Sequence, residues 1–417
     1  MTAIRIPYFI HQNLPGKEAL AYTLSLFKPV LSVDFYPVNT PSEDSLVFDT
    51  HMDKGYCHSN SYWHEFQKGN FQKCHQIFTQ FEKEKYWLEK IFHLVNCVQE
   101  YDCKSKDKYN RFRYDQSWQY KGHTIDKNVV LSIMQDFLIV HRHGLTGVTR
   151  KSRLFLSHDI DTIHGELMQN GLHYLKTRQL SKLRSVIINY LIRRPGWANM
   201  DLINKLHDDH GVKHAYFWLV TKSSAHQIKN ADYSIREVTK FIESNRSNGL
   251  HKSSTQMTYK EELSRLPIKS TANRNHFLRF ELPEHWHKLD EADITIDASL
   301  GFAEHYGFRN SFGYVFRPFN LKSGTAHQHL CVPLHIMDAT FRNYMSVPTE
   351  QTADTIIQFI ENNREACVLS ILWHNTFFSD GKYEGYLNQY LKILAYIKES
   401  KLETLDFEDL LQLDSNS

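Results

Sequence analysis

The sequence is poor in the residues that specialised architectures require. Its 417 residues include only 6 Cys, 17 Gly and 11 Pro. Collagen-like and low-complexity chains are far richer in Gly and Pro, so the composition excludes both classes. The cysteines form no CxxC pair and show no spacing typical of a disulfide-rich domain. We therefore expect free thiols in a reducing compartment.

The sequence also lacks an excess of charge of one sign and a long apolar run. It has 49 Lys and Arg against 47 Asp and Glu, a net charge of +2. Because nucleic-acid-binding domains usually carry a basic stripe, we expect no nucleic-acid partner. No stretch reaches about 18 consecutive apolar residues, so we predict no membrane span. The first 16 residues lack a signal-peptide core, and we expect a cytoplasmic protein whose oligomeric state the sequence leaves open.

Apolar and aromatic side chains are present in quantity, at 41% and 13% of the residues. Such a chain has enough apolar surface to fold, which excludes disorder. At about 100–200 residues per domain, its length fits two or three domains. A polar, Gly-punctuated segment at 144–152 separates a mixed first part from a second part in which strands and helices alternate. We predict an N-terminal α/β extension domain over 1–150 and a barrel-like domain over 151–417.

The second part sets the fold class. Short apolar strands, among them 153–157, 215–220 and 367–373, alternate with helical segments. This alternation predicts parallel strands with crossover helices. About seven strands and the lack of a Gly-rich dinucleotide fingerprint favour a (β/α) barrel over a Rossmann sheet. Residues 166–195 read as an insertion after the first strand, and in the first part the 3.6-residue periodicity of 71–98 predicts one long helix.

Polar residues follow several of these strands. In barrels of parallel strands, functional groups gather at the carboxyl ends of the strands. The first strand ends in HDID, whose Asp159 and Asp161 are two apart and face one side if the strand persists. His251 and His374 follow two other strands, and Arg274 lies close to another. Paired carboxylates allow one acid to bind a metal while the other accepts a proton, although each also suits a helix N-cap.

Five ordered segments together carry a family resemblance. They are 153–162 (RLFLSHDIDT), 248–254 (NGLHKSS), 273–280 (NRNHFLRF), 293–310 (DITIDASLGFAEHYGFRN) and 369–376 (LSILWHNT). The set resembles the polysaccharide deacetylase superfamily, and within it a bacterial branch with HDxD, GLHPS-like and RQHFLRF-like motifs. The resemblance covers about residues 150–400. It implies a distorted (β/α) barrel and a metal-dependent hydrolase, with zinc as the expected divalent ion, that removes N-acetyl groups from amino-sugar glycans.

The resemblance also implies roles for individual residues. Asp159 matches the general base and Asp161 the metal-binding acid of the first motif. His251 matches the first metal-binding histidine of the second motif. Arg274 matches the arginine that orients the base, and His374 matches the histidine that acts as general acid. A carbohydrate is the implied partner.

The second motif departs from the family pattern. The usual His-x-x-x-His pair is broken, because Thr255 stands four residues after His251. We expect His276, at the next strand, to supply the third metal ligand. Lys252 stands where the branch carries proline. Two alternatives are open for its positive side chain: it lies beside the metal and weakens binding, or it points outward.

The sequence also offers candidate substrate contacts and leaves two alternative functions open. We predict that Arg309 binds an acidic sugar or pairs with Asp297, and that Trp373 and Tyr314 stack on sugar rings. A glycoside hydrolase would instead use Asp159 with Asp297, two carboxyls about 5–10 Å apart that need no metal. The broken second motif also fits a degenerate barrel that only binds glycan or scaffolds polysaccharide assembly.

Overall fold

The computed structural model describes residues 3–48, 58–141, 147, 149–192, 196–222 and 228–415. Cys57 and residues 193–195 of the predicted insertion lie outside these ranges. The cysteines at 74, 97, 103, 331 and 367 carry free thiols. Within the described ranges, no helix combines the length and the apolar character needed to cross a bilayer.

The first part of the chain contains a small parallel sheet with helices around it. Strand β1 (Ile4–Ile10) lies between β2 (Val33–Pro37) and β3 (Leu46–Phe48), and both pairings are parallel. The helices are α1 (Lys17–Ser25), α2 (Phe27–Leu31), α3 (Asn60–Gln67), α4 (Phe71–Phe78), α5 (Trp87–Val95), α6 (Trp118–Lys121) and α7 (Val129–His141).

The predicted single helix over 71–98 is wrong, because α4 and α5 are separate helices. The segment between them contains the exposed charged run EKE at 82–84, which has no apolar face to bury. Tyr86, just before α5, has a left-handed backbone (φ 57°), which a continuous helix does not permit. The Lys90 ammonium then donates hydrogen bonds to the Glu82 and Lys83 carbonyls, which fixes the turn.

The second part forms a large sheet in which neighbouring strands are parallel. Its strands are β4 (Arg153–Ile160), β5 (Ala215–Leu219), β6 (Asn248–Lys252), β7 (Ala272–Asn275), β8 (Ile296–Asp297), β11 (Leu330–Cys331), β12 (Ile336–Met337), β13 (Val368–Leu372) and β14 (Thr404–Leu405). A separate antiparallel pair is formed by β9 (Phe319–Asn320) and β10 (Thr325–Ala326).

Strand order in the large sheet follows the chain. From β4 the sheet runs through β5, β6, β7 and β8 to β11, and on the other side of β4 lie β13 and then β12. Among the described residues no ladder joins β11 to β12, so the sheet curls but has an open seam there. The prediction of an α/β fold with parallel strands in a curled sheet is confirmed. Because the strands share one direction, their carboxyl ends meet at one edge of the sheet.

Helices connect and cover these strands. They are α8 (Glu166–Lys176), α9 (Leu180–Leu191), α10 (Met200–His210), α11 (Ile235–Ser244), α12 (Tyr259–Leu263), α13 (Glu284–Glu291), α14 (Thr352–Asn362), α15 (Tyr386–Glu399) and α16 (Phe407–Ser415). Sequence signals set some of their ends. At α12, Glu261 accepts a hydrogen bond from the Thr258 backbone while Thr258 Oγ1 accepts one from the Glu261 backbone, a reciprocal capping box.

One hydrophobic core runs from the small sheet into the large one. A buried ion pair also joins the two parts of the chain: Arg309 Nε lies 2.9 Å from Glu100 Oε1, and Nη2 lies 2.5 Å from Oε2. Both side chains are 3% exposed. The division into two domains at residue 150 stays a prediction.

Candidate metal centre and its cavity

The end of β4 presents two acids to one side. Because successive side chains of a strand alternate between faces, Asp159 and Asp161 point the same way and His158 points the other way. The His158 ring lies on the opposite face, where Nδ1 is 2.7 Å from the Trp373 carbonyl oxygen and Nε2 is 3.0 Å from His207 Nε2. Asp159 is 2% exposed, whereas the Asp161 side chain is 28% exposed. The two-residue spacing therefore puts a buried acid beside a more accessible one.

Arg274 holds the buried acid. Its guanidinium Nη1 donates to Asp159 Oδ1 at 2.8 Å, and Nη2 donates to Ser157 Oγ at 2.9 Å. A further bond runs from Nε to the Ala298 carbonyl at 3.0 Å, and the guanidinium lies 4.3 Å from the Phe217 ring centroid. Arg274 itself is fully buried. The Asp159 carboxylate thus has one oxygen fixed by a cation and the other facing the cavity.

Two histidines turn the same ring nitrogen toward Asp161. His251 Nδ1 lies 2.9 Å from the Arg274 carbonyl oxygen, and its Nε2 lies 3.2 Å from Asp161 Oδ1. His276 Nδ1 lies 3.2 Å from Asn230 Oδ1, and its Nε2 lies 3.8 Å from Asp161 Oδ2. Because a carbonyl or amide oxygen accepts but does not donate, each Nδ1 carries a proton, and Nε2 is the ring atom that is available to a cation. Metal-binding histidines are oriented in this way.

The charges at these groups also suit a cation. Burial raises the pKa of Asp161, but His276 and His251 outweigh it and hold the pKa below its ordinary value. Burial lowers the pKa of His276 to about 4, so this ring is neutral near pH 7. Asp161 Oδ1 is buried without a hydrogen-bond partner. Burial lowers the pKa of His251, but the Asp159 and Asp161 carboxylates outweigh it and raise that pKa above its ordinary value. A cation bound between these groups would take the place of that proton. One carboxylate and two imidazoles are a donor set that zinc accepts, so the residues present fit a divalent metal.

His374 also lies near Asp161 and forms a hydrogen bond with Asp338, an acid that the sequence reasoning missed. Its Nδ1 lies 2.6 Å from Asp338 Oδ1, its backbone N–H donates to Asp338 Oδ2, and its Nε2 lies 3.8 Å from Asp161 Oδ2. Burial lowers the pKa of His374, but the Asp338 carboxylate dominates and raises it to about 10. His374 is therefore a proton donor near pH 7. Asp338 directly follows β12, so the rule that found the other acids also applies to it.

One cavity of about 310 Å³ is lined by Asp159, Asp161, His251, His276 and His374. That volume is at the lower end of the range for small-molecule sites, about 300–1,000 Å³. Arg111, from the first part of the chain, also lines the cavity; its Nε donates to Asp107 Oδ2 at 2.8 Å and its Nη1 to the Phe277 carbonyl at 3.2 Å. Sequence reasoning assigned Arg111 no role in the site, because its approach to the cavity depends on contacts with residues far away in the chain. A larger groove of about 770 Å³ adjoins the cavity through Asn275 and contains none of the acids at its centre.

The turn that follows His276 has an unusual backbone. Phe277 and Leu278 both have positive φ, at 59° and 52°. Non-glycine residues in this region carry about 1–3 kcal/mol of strain each, which the surrounding structure must offset. The first part of the chain contacts this turn, since the Tyr109 ring centroid lies 5.1 Å from that of Phe277 and Arg111 binds the Phe277 carbonyl. Residues before 150 thus help to position His276.

The three predicted substrate contacts do not line the cavity. Arg309 is buried in its ion pair with Glu100, because a guanidinium removed from water needs a charged partner. Trp373 is fully buried among aromatic side chains of the core. Tyr314 is 3% exposed, and its hydroxyl accepts a hydrogen bond from Arg153. The substrate-binding prediction for these residues is therefore corrected, as is the pairing of Arg309 with Asp297.

Asp297 is also enclosed. Its carboxylate accepts hydrogen bonds from Asn273 and Ser299 and lies 3.1 Å from His285 Nε2. It is 1% exposed and does not line the cavity. A glycosidase pair of Asp159 and Asp297 would need both carboxyls beside the same bond. Asp297 does not meet that requirement.

The departures in the second motif have a structural explanation. Lys252 turns away from Asp161, and its ammonium lies 3.1 Å from Glu262 Oε1 in a buried ion pair. The hydroxyl of Thr255 lies 3.2 Å from the same oxygen. Lys252 therefore does not place an unpaired charge at the cluster, in agreement with the alternative that its side chain points outward.

A second group of possible metal ligands lies elsewhere. His327 Nδ1 and His329 Nδ1 lie 2.7 and 2.8 Å from the two oxygens of Asp290. These are hydrogen-bond distances, and burial lowers the pKa of His327 to about 4. Neutral histidines that donate to one carboxylate account for the group, and none of its members lines the cavity.

Comparisons with known proteins gave limited results. No family model and no curated protein matches the chain. Among solved structures, the chain is similar to a protein from Mycobacterium smegmatis whose name suggests a polysaccharide deacetylase. The two share 9% identity with a TM-score of 0.40, and the match covers 64% of this chain and 92% of that protein. It is also similar to a peptidoglycan N-acetylglucosamine deacetylase, with 13% identity, a TM-score of 0.32, and coverage of 63% and 89%.

Proposed function

We propose that the chain is a metal-dependent hydrolase that removes N-acetyl groups from an amino-sugar-containing glycan or glycan precursor. One observation carries the proposal: a protonated histidine, two histidines whose Nε2 atoms face Asp161, and an arginine-held carboxylate lie around Asp161 in one cavity. The N-acetyl sugar as substrate class comes from the motif resemblance described above. The geometry supports the reaction type.

In this proposal Asp161, His251 and His276 hold the divalent metal, with zinc as the expected ion. When bound, such an ion polarises an acyl carbonyl and lowers the pKa of water. His276 takes the place of the histidine that the second motif lacks. Its Nδ1 contact with Asn230 keeps the Nε2 lone pair aimed at Asp161. Second contacts of this kind orient ligands and support metal affinity.

Asp159 and His374 divide the proton transfers. The free oxygen of Asp159 accepts the proton of the attacking water, while Arg274 keeps this carboxylate oriented. His374 donates a proton to the departing amine nitrogen, and Asp338 stabilises its protonated form. Each transfer contributes about 10²–10⁴-fold in rate.

The cavity favours amide cleavage over glycosidic cleavage. Hydrolysis of an amide needs a base for water and an acid for the amine, and Asp159 and His374 supply one of each. Retaining or inverting glycosidases need two carboxyls on either side of the scissile bond. Asp161 contacts histidines, and Asp297 is enclosed outside the cavity. Neither of these two acids therefore provides Asp159 with the second carboxyl of a glycosidase pair.

The test combines metal analysis with turnover. We expect one zinc ion per chain in the zinc-loaded protein, measured by plasma mass spectrometry, and none in Asp161→Ala or His276→Ala. Asp159→Asn should keep the metal and lose about 10²–10⁴-fold of acetate release from an N-acetylated chito-oligosaccharide. His329→Gln, in the second histidine group, is the matched control and should retain one ion and full turnover.

Two outcomes would contradict the proposal. Normal zinc content in both Asp161→Ala and His276→Ala would contradict the assignment of these two residues as metal ligands. Tight oligosaccharide binding without acetate release, even with added zinc, cobalt or nickel, would favour a glycan-binding barrel.

A further inference from the structure

The helical hairpin made by α8 and α9 is the main exposed apolar region of the described chain. Of fourteen large apolar side chains that are exposed, nine lie between residues 168 and 192. Met168 and Leu191 are each 72% exposed. Single exposed apolar residues are common, but a concentration of this kind marks an interaction surface.

The exposed side chains follow helical spacing. On α8 they include Met168, Leu172 and Leu175, and on α9 they include Leu180, Ile187 and Leu191. Residues three, four, seven or eleven apart lie on one face of a helix, so each helix carries an exposed apolar stripe. The only side chain that α9 buries is Val186. Among the residues that the structure describes, the core therefore leaves this apolar face uncovered.

The hairpin also concentrates positive charge. Residues 166–192 contain Lys176, Arg178, Lys182 and Arg184 against the single acid Glu166, a net charge of +3, whereas the whole chain has +2. Lys182 lies 3.8 Å from Glu384 Oε1, outside the hairpin. Lys176, Arg178 and Arg184 are exposed and form the basic face of the hairpin.

We propose that this hairpin docks the protein on an anionic membrane surface. Short amphipathic helices with basic residues and exposed Leu, Ile and aromatic side chains lie in the interface between lipid headgroups and acyl chains. Anionic headgroups would neutralise the basic residues while the apolar stripes enter the acyl boundary. A second copy of the chain fits less well, because a two-fold contact through this face would set each basic cluster against its own copy.

The position of the hairpin gives the contact a consequence for the site. Helix α8 begins five residues after Asp161, and Gln169 of α8 lines the cavity and accepts a hydrogen bond from Lys382 at 2.8 Å. Docking therefore holds the cavity opening close to the bilayer. This inference rests on the proposed function and makes the substrate an N-acetylated amino sugar that is attached to a lipid.

The test uses the full chain and lipid vesicles. We expect binding, measured by flotation, to vesicles of phosphatidylcholine with phosphatidylglycerol, and much weaker binding to pure phosphatidylcholine or at high salt. Lys176→Ala and Arg184→Ala should each lower the partition coefficient about fivefold. Leu191→Ser and Met168→Ser should each lower it about tenfold. All four side chains are exposed, so folding should be unaffected.

The matched controls are Ile139→Ser and Val140→Ser on α7, which are 44% and 57% exposed and lie outside the hairpin. They should bind vesicles like the wild type. Absence of binding to anionic vesicles, or binding that Leu191→Ser leaves unchanged, would overturn the proposal. A dimer in light scattering that Leu191→Ser dissociates, without vesicle binding, would show that a second copy covers this face and would also overturn it.

Failure of this inference and failure of the proposed function are distinguishable. Vesicle binding needs no metal, so Asp161→Ala should bind anionic vesicles like the wild type. If vesicles bind and no acetate is released, only the hydrolase assignment fails. If hairpin variants lose turnover on a vesicle-anchored N-acetylglucosamine lipid but keep it on a soluble oligosaccharide, both stand. Equal loss on the two substrates would refute the docking role.

Discussion

Removal of the charge on Asp338 tests how the cavity keeps a proton on His374. Asp338 is fully buried and accepts hydrogen bonds from the His374 ring, the His374 backbone and the Ala339 backbone. Asp338→Asn keeps the size of the side chain and removes its negative charge. The protonated imidazole then loses its charged partner, while the neutral imidazole loses much less.

The magnitude follows from that difference. A hydrogen bond to a charged group contributes about 1.5–3 kcal/mol, and about 1.4 kcal/mol corresponds to one pKa unit. We therefore expect the pKa of His374 to fall by about 1–2 units from its raised value of about 10. The direction of this pKa shift follows from the partner. A carboxylate favours the charged imidazole ring, so removal of the carboxylate favours deprotonation of His374. The donor form, present below the pKa, is lost at a lower pH in the variant.

Histidine ¹³Cε1 chemical shifts measure this pKa directly in the metal-free protein. The His374 signal is identified as the one missing from the spectrum of His374→Gln. Asp290→Asn is the matched control, because Asp290 contacts His327 and His329 instead. The same pKa for His374 in wild type and Asp338→Asn would refute the reasoning. In turnover, the alkaline limb of the kcat profile should move to lower pH by the same amount.

The remaining predictions concern stability and metal removal. Glu100→Ala should lower the free energy of unfolding by about 3–5 kcal/mol in urea titrations, because it leaves Arg309 buried and unpaired; an unchanged midpoint would contradict the structural role of this pair. Gly249→Ala should cost about 1–3 kcal/mol, since an added Cβ would lie 2.7 Å from the Phe217 ring. Gly171→Ala, where a Cβ would make ordinary contacts, should be neutral or stabilising and is the control. A chelator should abolish acetate release and added zinc should restore it; activity that survives chelation would remove the metal from the mechanism.

Local patterns in the sequence predicted the parallel sheet and the cluster around Asp161. The period of two along a strand puts Asp159 and Asp161 on one side, and the common direction of parallel strands brings His251, His276 and His374 to the same edge. These inferences need only the strand assignments and their order. The same logic applied to β12 would have included Asp338, which directly follows this two-residue strand.

The sequence by itself therefore determined which side chains reach one edge of the sheet. The alternation of side chains along a strand and the direction of the strand are properties of short segments. Only the tertiary structure decided what each remaining polar or aromatic residue faces. Arg309 was free to bind a sugar until the fold set Glu100 against it, although the two are 209 positions apart in the chain. Arg111 likewise reaches the cavity through a contact between the two parts of the chain. Burial and pairing depend on such distant neighbours, and no local period of the sequence encodes them.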